Sequence, residues 1–274
     1  MKNERNHKIL DSQSKAFKII EHQVELPDGV IYYEESGEGR PVILIHGLSG
    51  STRWWVKNVP VFAKQYHVIV IDLLGFGRGH GQRFILEDSA RILTEWMQGL
   101  AIERPTLIGH SMGGYISAEI AANYPEWIDQ LVLVDALAIP IKQSYFGQAY
   151  SLMRAARFAA RDFIPVLIKD IWRAGPLTMS RAIRAVRRAD LSDELQDIST
   201  PTLIIWGEHD IVLPVDMGQD LHQKIPNSHF VIIDGAGHNP MWDRPHDFNR
   251  IVLSYLESNQ PELRRNGRML NHDA

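Results

Sequence analysis

The stretch of this chain best suited to nucleophilic chemistry is residues 109–114, with the sequence GHSMGG. It follows a short apolar run at 105–108 and precedes residues 115–123, whose pattern predicts a helix. Glycines beside a serine allow a tight strand-to-helix turn in which the serine backbone is strained and its hydroxyl is lifted clear of the sheet. We therefore interpret Ser111 as a candidate nucleophile.

A serine hydroxyl is a weak nucleophile at neutral pH, so it requires a general base within hydrogen-bonding distance and a carboxylate that orients this base. Two later loops offer these groups, because Asp210 and His238 each follow closely after a short apolar run. If both runs are strands of one parallel sheet, their carboxyl ends meet at one edge. The sequence therefore predicts a triad of Ser111, His238 and Asp210. Asp135 ends another such run and is an alternative acid, although we favour a structural role for it.

Acyl transfer also needs two backbone N–H groups that stabilise the negative charge on the reacting carbonyl oxygen. We expect one from Met112, which follows the nucleophile at a helix N-terminus, and one from Leu48, which follows His46 and Gly47; Ser49 is the second choice. This chemistry needs neither a metal nor an organic cofactor, and the histidine spacing does not indicate a metal site. We expect no metal and no cofactor.

Alternating strand and helix patterns define the elements that must position these residues. Strands are predicted at 19–26, 30–35, 41–45, 67–71, 106–108, 131–134, 202–206 and 230–233. Helices are predicted at 52–65, 86–100, 115–123, 215–224 and 241–256. The first two strands, separated by a Pro-Asp-Gly turn, read as a hairpin. The remaining alternation predicts an α/β fold with a doubly wound, mostly parallel sheet.

The alternation stops at 139–198, where the sequence predicts several helices interrupted by Pro165, Gly175 and Pro176. A helical insertion between two strands of a parallel sheet is expected to cover the carboxyl ends of the strands, where such sheets bind ligands. We therefore predict a core at 19–138 and 199–258, a helical cap at 139–198, and flexible termini at 1–18 and 259–274.

Composition limits the possible partners. The chain has 274 residues, 45% hydrophobic residues and a net charge of −4, which fits one domain with an insertion and disfavours nucleic acid as a partner. It contains no cysteine, so disulfides and thiolate metal sites are excluded. No apolar run has the length of a membrane span. We expect a cytoplasmic protein, a monomer or homodimer without stable membrane insertion, that acts on a small molecule.

Five motifs in order resemble those of the α/β-hydrolase superfamily, in particular its small serine hydrolases with a helical cap. They are HG at 46–47, DLLGFG at 72–77, GHSMGG at 109–114, GEHD at 207–210 and GH at 237–238. The order serine, acid, histidine is also that of this fold. The resemblance implies the α/β-hydrolase fold and a serine nucleophile, but related enzymes cleave esters, lactones and even carbon–carbon bonds.

The residue at the nucleophile position and the residue before it distinguish between these activities. Enzymes that open epoxides or remove halides use aspartate at the position of Ser111, and the carbon–carbon hydrolases of ring-cleavage products usually carry asparagine at the position of His110. The resemblance therefore favours a carboxylesterase that forms an acyl-enzyme. A carbon–carbon hydrolase and a weakly catalytic ligand receptor on the same fold are the alternatives. Expected substrate contacts come from Trp242 and from cap residues Phe146, Tyr150, Met153 and Trp172.

The cap also carries two arginine trios at helical spacing, 154/157/161 and 181/184/188. We interpret them first as solvated faces of amphipathic helices. Recognition of an anionic substrate group or of an acidic membrane surface is the alternative.

Overall fold

A single eight-stranded sheet forms the centre of the protein in the computed structural model, which describes residues 18–141 and 160–259. The strands are β1 Ile20–Leu26, β2 Gly29–Ser36, β3 Pro41–Ile45, β4 His67–Asp72, β5 Thr106–His110, β6 Gln130–Val134, β7 Thr202–Gly207 and β8 Ser228–Ile233. Their order across the sheet is β1-β2-β4-β3-β5-β6-β7-β8. The β1–β2 and β2–β4 pairs are antiparallel and all the others are parallel, which confirms the predicted fold class.

The described helices lie on both faces of the sheet and across one edge of it. They are α1 Val59–Phe62, α2 Leu86–Gly99, α3 Met112–Asn123, α4 Ile164–Val186, α5 Val215–Lys224, α6 Pro240–Asp243 and α7 Pro245–Ser258. Short 3₁₀ helices occupy Thr52–Trp55, Gly77–Gly79, Pro125–Trp127 and Leu195–Asp197. None of the helices in 18–141 and 160–259 is long and apolar enough to cross a bilayer.

The central strands are apolar at consecutive positions because both of their faces are covered. Alternate residues of β3 serve different sides: Ile43 and Ile45 pack with α2, α3 and α5, whereas Val42 and Leu44 pack with α1, α6 and α7. The period of two along a strand thus divides one apolar run between two cores.

Two predicted helices are wrong in their continuity. Residues 52–65 form a 3₁₀ turn followed by the short α1, because Pro60 cannot donate a hydrogen bond to a preceding helical turn and instead lies at the start of α1. Residues 241–256 form α6 and α7, which are separated at Arg244 by a non-helical backbone (φ −132°, ψ 58°) before Pro245. The hairpin β1–β2 and the exact span of β3 are confirmed.

Within the described residues, the predicted cap contains α4, which crosses the edge where the parallel strands end. Phe163, just before α4, packs in the core beside α6 and α7, whereas Ala182 and Val186 near its other end pack in the core beside α2 and α3. Gly175 interrupts the helix with φ 75° and ψ 162°, a conformation that favours glycine, and Pro176 follows it. The exact boundaries of cap and core stay predictions.

Candidate active site

Ser111 lies at the junction of β5 and α3 in a strained backbone conformation. Its φ is 52° and its ψ is −114°, which is unfavourable for a residue with a side chain. Two backbone hydrogen bonds to β6 and the segment after it hold Ser111 in this conformation. The Ser111 N–H donates to Val134 O (2.9 Å), and Leu137 N–H donates to Ser111 O (3.1 Å). The side chain therefore stands at the edge of the sheet, directly before the first turn of α3.

Glycines around Ser111 permit the close approach of strand and helix. A Cβ on Gly109 would lie 2.4 Å from Ser117 Oγ, and a Cβ on Gly113 would lie 2.5 Å from Ile45 O. Side chains at these positions would push α3 away from β3 and β5. The glycines thus bring the N-terminus of α3 against the carboxyl end of β3.

His238 and Asp210 lie in line with Ser111. His238 Nε2 is 3.2 Å from Ser111 Oγ, and His238 Nδ1 is 2.7 Å from Asp210 Oδ2. The three residues follow β5, β7 and β8, and their loops meet because these strands are parallel and close together in the sheet. With its proton on Nδ1, His238 donates to Asp210 and presents a basic Nε2 to the serine hydroxyl.

Asp210 is held in place by the loop that follows it. The side chain is buried, and its Oδ1 accepts hydrogen bonds from the N–H groups of Val212 (2.8 Å) and Leu213 (3.0 Å). Together with the bond to His238, these donors solvate the carboxylate charge inside the protein. Asp210 can therefore orient the imidazole and stabilise it when it becomes protonated.

Asp135, the alternative acid, lies next to Asp210 and is fully buried at the end of β6. Its Oδ1 accepts the N–H of Gly207 (2.9 Å), its Oδ2 is buried without a hydrogen-bond partner among the described residues, and its carboxyl lies within 4.8 Å of a carboxylate oxygen of Asp210. Burial, and then the nearby charge of Asp210, raise the pKa of Asp135 well above its usual value. A neutral Asp135 can donate to Asp210, so we assign its carboxyl to the support of Asp210.

The carboxyl groups of Asp135 and Asp210 and the ring of His238 are close enough to be considered as a metal site. Their potential ligand atoms lie within 4.8 Å of one another. Both oxygens of Asp210, Oδ1 of Asp135 and Nδ1 of His238 are engaged in hydrogen bonds, whereas Oδ2 of Asp135 has no partner within 18–141 and 160–259. The cluster is therefore held together mainly by hydrogen bonds to Asp210.

His110 lies behind the base and is buried. Its Nε2–H donates to the carbonyl of His238 (2.7 Å), and its ring lies 4.9 Å from the ring of His238. Burial lowers the pKa of His110 well below its usual value, so the ring stays neutral. Trp54 and Phe163 continue the aromatic packing from His110 toward the cap. His110 thus fixes the backbone of the base.

The expected oxyanion donors lie on the two segments that Gly113 brings together. Met112 is the first residue of α3, so its N–H has no acceptor within the helix. Leu48 lies in the turn after β3, which is closed by a hydrogen bond from Gly50 N to Gly47 O (3.0 Å). His46 braces this turn, since its Nδ1–H donates to Gly47 O (2.7 Å) and its Nε2 accepts Leu73 N–H (3.1 Å).

Two of the predicted substrate-contact residues, Trp242 and Trp172, lie within the described residues. Trp242 is only 5% exposed. Its ring packs against Phe163 and lies beneath the ammonium group of Lys57, and its Nε1–H donates to Asp162 (3.0 Å). Trp242 therefore joins the predicted cap to the core. Trp172 is 82% exposed and faces solvent instead of lining a pocket, because its position on α4 points away from the cores. Phe146, Tyr150 and Met153 lie outside the described residues.

One contact of the cap was missed in the sequence. Asp170 of α4 is buried and accepts hydrogen bonds from Ser51 Oγ (2.8 Å), Trp54 Nε1 (3.1 Å) and the guanidinium of Arg53. Asp170 lies seven residues after Phe163 and four before Ala174, and both of these residues are buried. This spacing places Asp170 on the buried side of the helix. An acidic residue at such a position was the signal in the sequence that could have revealed the contact. The contact joins α4 to the segment that follows the turn closed by Gly50 N and Gly47 O.

Comparison with known proteins agrees with this architecture. The Alpha/beta hydrolase family model matches residues 42–251. The 2-hydroxy-6-oxo-6-phenylhexa-2,4-dienoate hydrolase of Comamonas testosteroni is 28% identical over 278 residues, which cover 89% of this chain and 96% of that protein. The 2-hydroxy-6-oxononadienedioate/2-hydroxy-6-oxononatrienedioate hydrolase of Burkholderia vietnamiensis is 28% identical over 279 residues, which cover 89% and 95%. The structure of a thermophilic esterase from Thermogutta terrifontis is similar with a TM-score of 0.73, 25% identity, and coverage of 87% and 98%.

Proposed function

Because this chain belongs to the alpha/beta hydrolase family, we propose that it is a serine hydrolase that cleaves small carboxylic esters through an acyl-enzyme. The observation that carries the proposal is the line of hydrogen bonds from Asp210 through His238 to Ser111, with Ser111 in a strained turn at the start of α3. This arrangement matches what serine acyl transfer needs: a nucleophile, a base with a free nitrogen, and a carboxylate behind the base.

In the first half-reaction, Ser111 Oγ attacks the ester carbonyl carbon while His238 Nε2 takes the hydroxyl proton. The carbonyl oxygen becomes negatively charged and is stabilised by the N–H groups of Leu48 and Met112, aided by the helix dipole of α3. The imidazolium that forms is stabilised by Asp210. His238 then protonates the leaving alkoxide, the carbon–oxygen bond to the alcohol breaks, and the acyl group stays on Ser111.

In the second half-reaction, a water molecule takes the place of the alcohol. His238 removes a proton from the water as it attacks the acyl carbon, and the same two N–H groups stabilise the new oxyanion. The imidazolium returns its proton to Ser111 Oγ as the ester bond to the enzyme breaks. The products are the carboxylic acid and the free enzyme.

Hydrolysis of a carbon–carbon bond in a 2-hydroxy-6-oxo dienoate is the second candidate. The names of the relatives from Comamonas testosteroni and Burkholderia vietnamiensis favour it. We place it second because this chain has His110 at a position where carbon–carbon hydrolases of ring-cleavage products usually carry asparagine. In this chain His110 is committed to the backbone of His238.

A series of p-nitrophenyl esters from acetate to long acyl chains tests the proposal on the wild type and on Ser111→Ala. The expected result is rapid release of p-nitrophenolate for one range of chain lengths and its loss by at least about a thousandfold in the variant. Ser117→Ala is a matched control, because Ser117 is a buried serine of α3, the helix that follows Ser111, and its hydroxyl donates to Gly113 O. It should retain turnover.

A fluorophosphonate probe followed by peptide mass spectrometry gives a second readout, with the label expected on Ser111. The dienoate candidate is tested in parallel by the loss of the yellow colour of 2-hydroxy-6-oxo-6-phenylhexa-2,4-dienoate. Faster turnover of the dienoate than of every ester would replace ester cleavage with carbon–carbon hydrolysis. No turnover of either substrate and no labelling of Ser111 would instead favour a ligand receptor.

A further inference from the structure

Exposed apolar side chains are concentrated on the outer face of α4. Within 18–141 and 160–259, eight large apolar side chains are exposed, and five of these belong to this one helix. They are Ile168 (61% exposed), Ile171 (41%), Trp172 (82%), Leu177 (63%) and Ile183 (38%). Ile168, Ile171 and Trp172 lie before the break at Gly175, and Leu177 and Ile183 lie after it. Isolated exposed apolar residues are common on soluble proteins, but five on one element indicate a surface that meets something other than water.

The same helix and the residues directly after it are strongly basic, although the whole chain has a net charge of −4. The segment 164–188 contains Lys169, Arg173, Arg181, Arg184, Arg187 and Arg188. Its one acidic residue, Asp170, is buried on the opposite side and bound to Arg53. The exposed face therefore combines apolar and positively charged groups without an exposed acid of its own.

Three of these arginines share one side of the helix and lie along an open groove. Arg181, Arg184 and Arg188 line a space of about 550 Å³ between α4 and the start of α2, where Arg83 faces them. All four side chains are exposed. Glu87 is the acidic residue in this lining. Four guanidinium groups around one acid leave an excess of positive charge that is available to an external anion.

We propose that the outer face of α4 docks onto a lipid surface that carries anionic headgroups. Trp172, Ile168 and Leu177 would enter the boundary between headgroups and acyl chains, where an indole ring is favourable, and the arginines would lie at the level of the lipid phosphates. This is peripheral binding by the exposed side chains of α4 on both sides of its break at Gly175. It differs from insertion of a spanning helix, for which the described helices are not suited.

Charge decides between this partner and two others. A second copy docked face to face would bring two sets of arginines together at an apolar interface, which is unfavourable. The segment 142–159 of the same chain carries Lys142, Arg154 and Arg157 and no acidic residue, so it adds to the positive charge of the cap instead of neutralising it. An anionic lipid surface satisfies both the charge and the apolar area.

Flotation with lipid vesicles tests the proposal on the full-length protein. Vesicles of phosphatidylcholine alone are compared with vesicles that also contain phosphatidylglycerol, at low and high salt. We expect the protein to float with the anionic vesicles at low salt and to be released at high salt, because surface charges are then screened. Failure to float with the anionic vesicles at low salt would overturn the proposal.

Variants locate the binding surface. Arg181→Glu with Arg184→Glu should weaken binding by at least about 25-fold, since each basic residue near an anionic surface contributes about fivefold. Ile168→Ser with Trp172→Ser should also weaken it, through loss of the apolar contact. Arg250→Glu on α7, where the side chain is 71% exposed, and Ile232→Ser on the edge strand β8, where the residue is 39% exposed, are the matched controls. They should bind as the wild type does.

Equal binding by all variants would overturn the proposal, because another surface would then be responsible. A different outcome would assign this face to a second copy of the chain. In that case the wild type would be a dimer by light scattering and would not bind the vesicles, and the variant Ile168→Ser with Trp172→Ser would be a monomer. Vesicle binding does not need turnover, so Ser111→Ala should bind like the wild type. The outcome is therefore independent of the proposed ester hydrolysis.

Discussion

Replacing Asp135 with asparagine is expected to stabilise the protein at neutral pH, although Asp135 lies beside the proposed catalytic acid. Asparagine has nearly the shape of a protonated aspartate: its Oδ1 can accept the N–H of Gly207, and its Nδ2–H can donate to Asp210. It cannot become charged. Since burial and the negative charge of Asp210 raise the pKa of Asp135, the native protein holds a proton at this site that the unfolded chain loses above about pH 4.

The sign and size of the effect follow from this difference in proton binding. The wild type loses stability as the pH rises from about 4 toward the native pKa of Asp135, at about 1.4 kcal/mol for each pH unit in that interval. Asparagine removes the loss. The advantage of Asp135→Asn should therefore be absent near pH 4 and should grow with pH, by about 3 °C in melting temperature for each kcal/mol in a chain of this size.

Asp135→Ala is the matched comparison, because it leaves the buried N–H of Gly207 without its acceptor. An unsatisfied buried donor costs about 1–3 kcal/mol, and Asp210 also loses its support. Thermal unfolding from pH 4.5 to 8 and p-nitrophenyl ester turnover distinguish the two variants: turnover should stay within a few-fold of the wild type in the asparagine variant and fall at least about tenfold in the alanine variant. A melting-temperature gain that stays flat with pH, or a loss that grows with it, would refute the protonated state of Asp135.

Gly113→Ala should cost about 1–3 kcal/mol and reduce ester turnover, because its Cβ would lie 2.5 Å from a carbonyl oxygen at the end of β3. Gly99→Ala, whose Cβ has no atom within 4 Å, is the matched control and should be neutral or stabilising in thermal unfolding. Asp170→Ala should cost about 3 kcal/mol in urea unfolding because it leaves three donors without their acceptor, and an unchanged midpoint would contradict this role. Burial and neighbouring glutamates raise the pKa of Glu119 to about 7, so Glu119→Gln should raise the melting temperature at pH 8 but not near pH 4.5; a gain independent of pH would count against it.

The sequence predicted the sheet well because the signals for its strands are local. The continuous apolar run at 41–45 and the turn after the first strand are properties of neighbouring residues, and the structure has both elements where they were expected. Continuity of helices was predicted less well. Pro60 and Pro245 were visible, but the break at Arg244 depends on how α6 and α7 pack on the sheet.

In α4, the type of a side chain does not predict whether it is buried or exposed. An exposed tryptophan and a buried aspartate on one helix are the reverse of what residue type predicts, and both occur on α4: Trp172 faces solvent, and Asp170 is enclosed by Ser51, Arg53 and Trp54. The partners of Asp170 are more than a hundred residues away in the chain. No local pattern could identify them.

The sequence by itself determined the nucleophile candidate and its partners, because glycine spacing and apolar runs fix which residues end strands at one edge of a parallel sheet. Only the tertiary structure decided the state of Asp135, the commitment of His110 to the backbone of His238, and the exposure of α4. These depend on burial and on contacts between distant segments, and a pKa or an exposed surface exists only after the chain has packed.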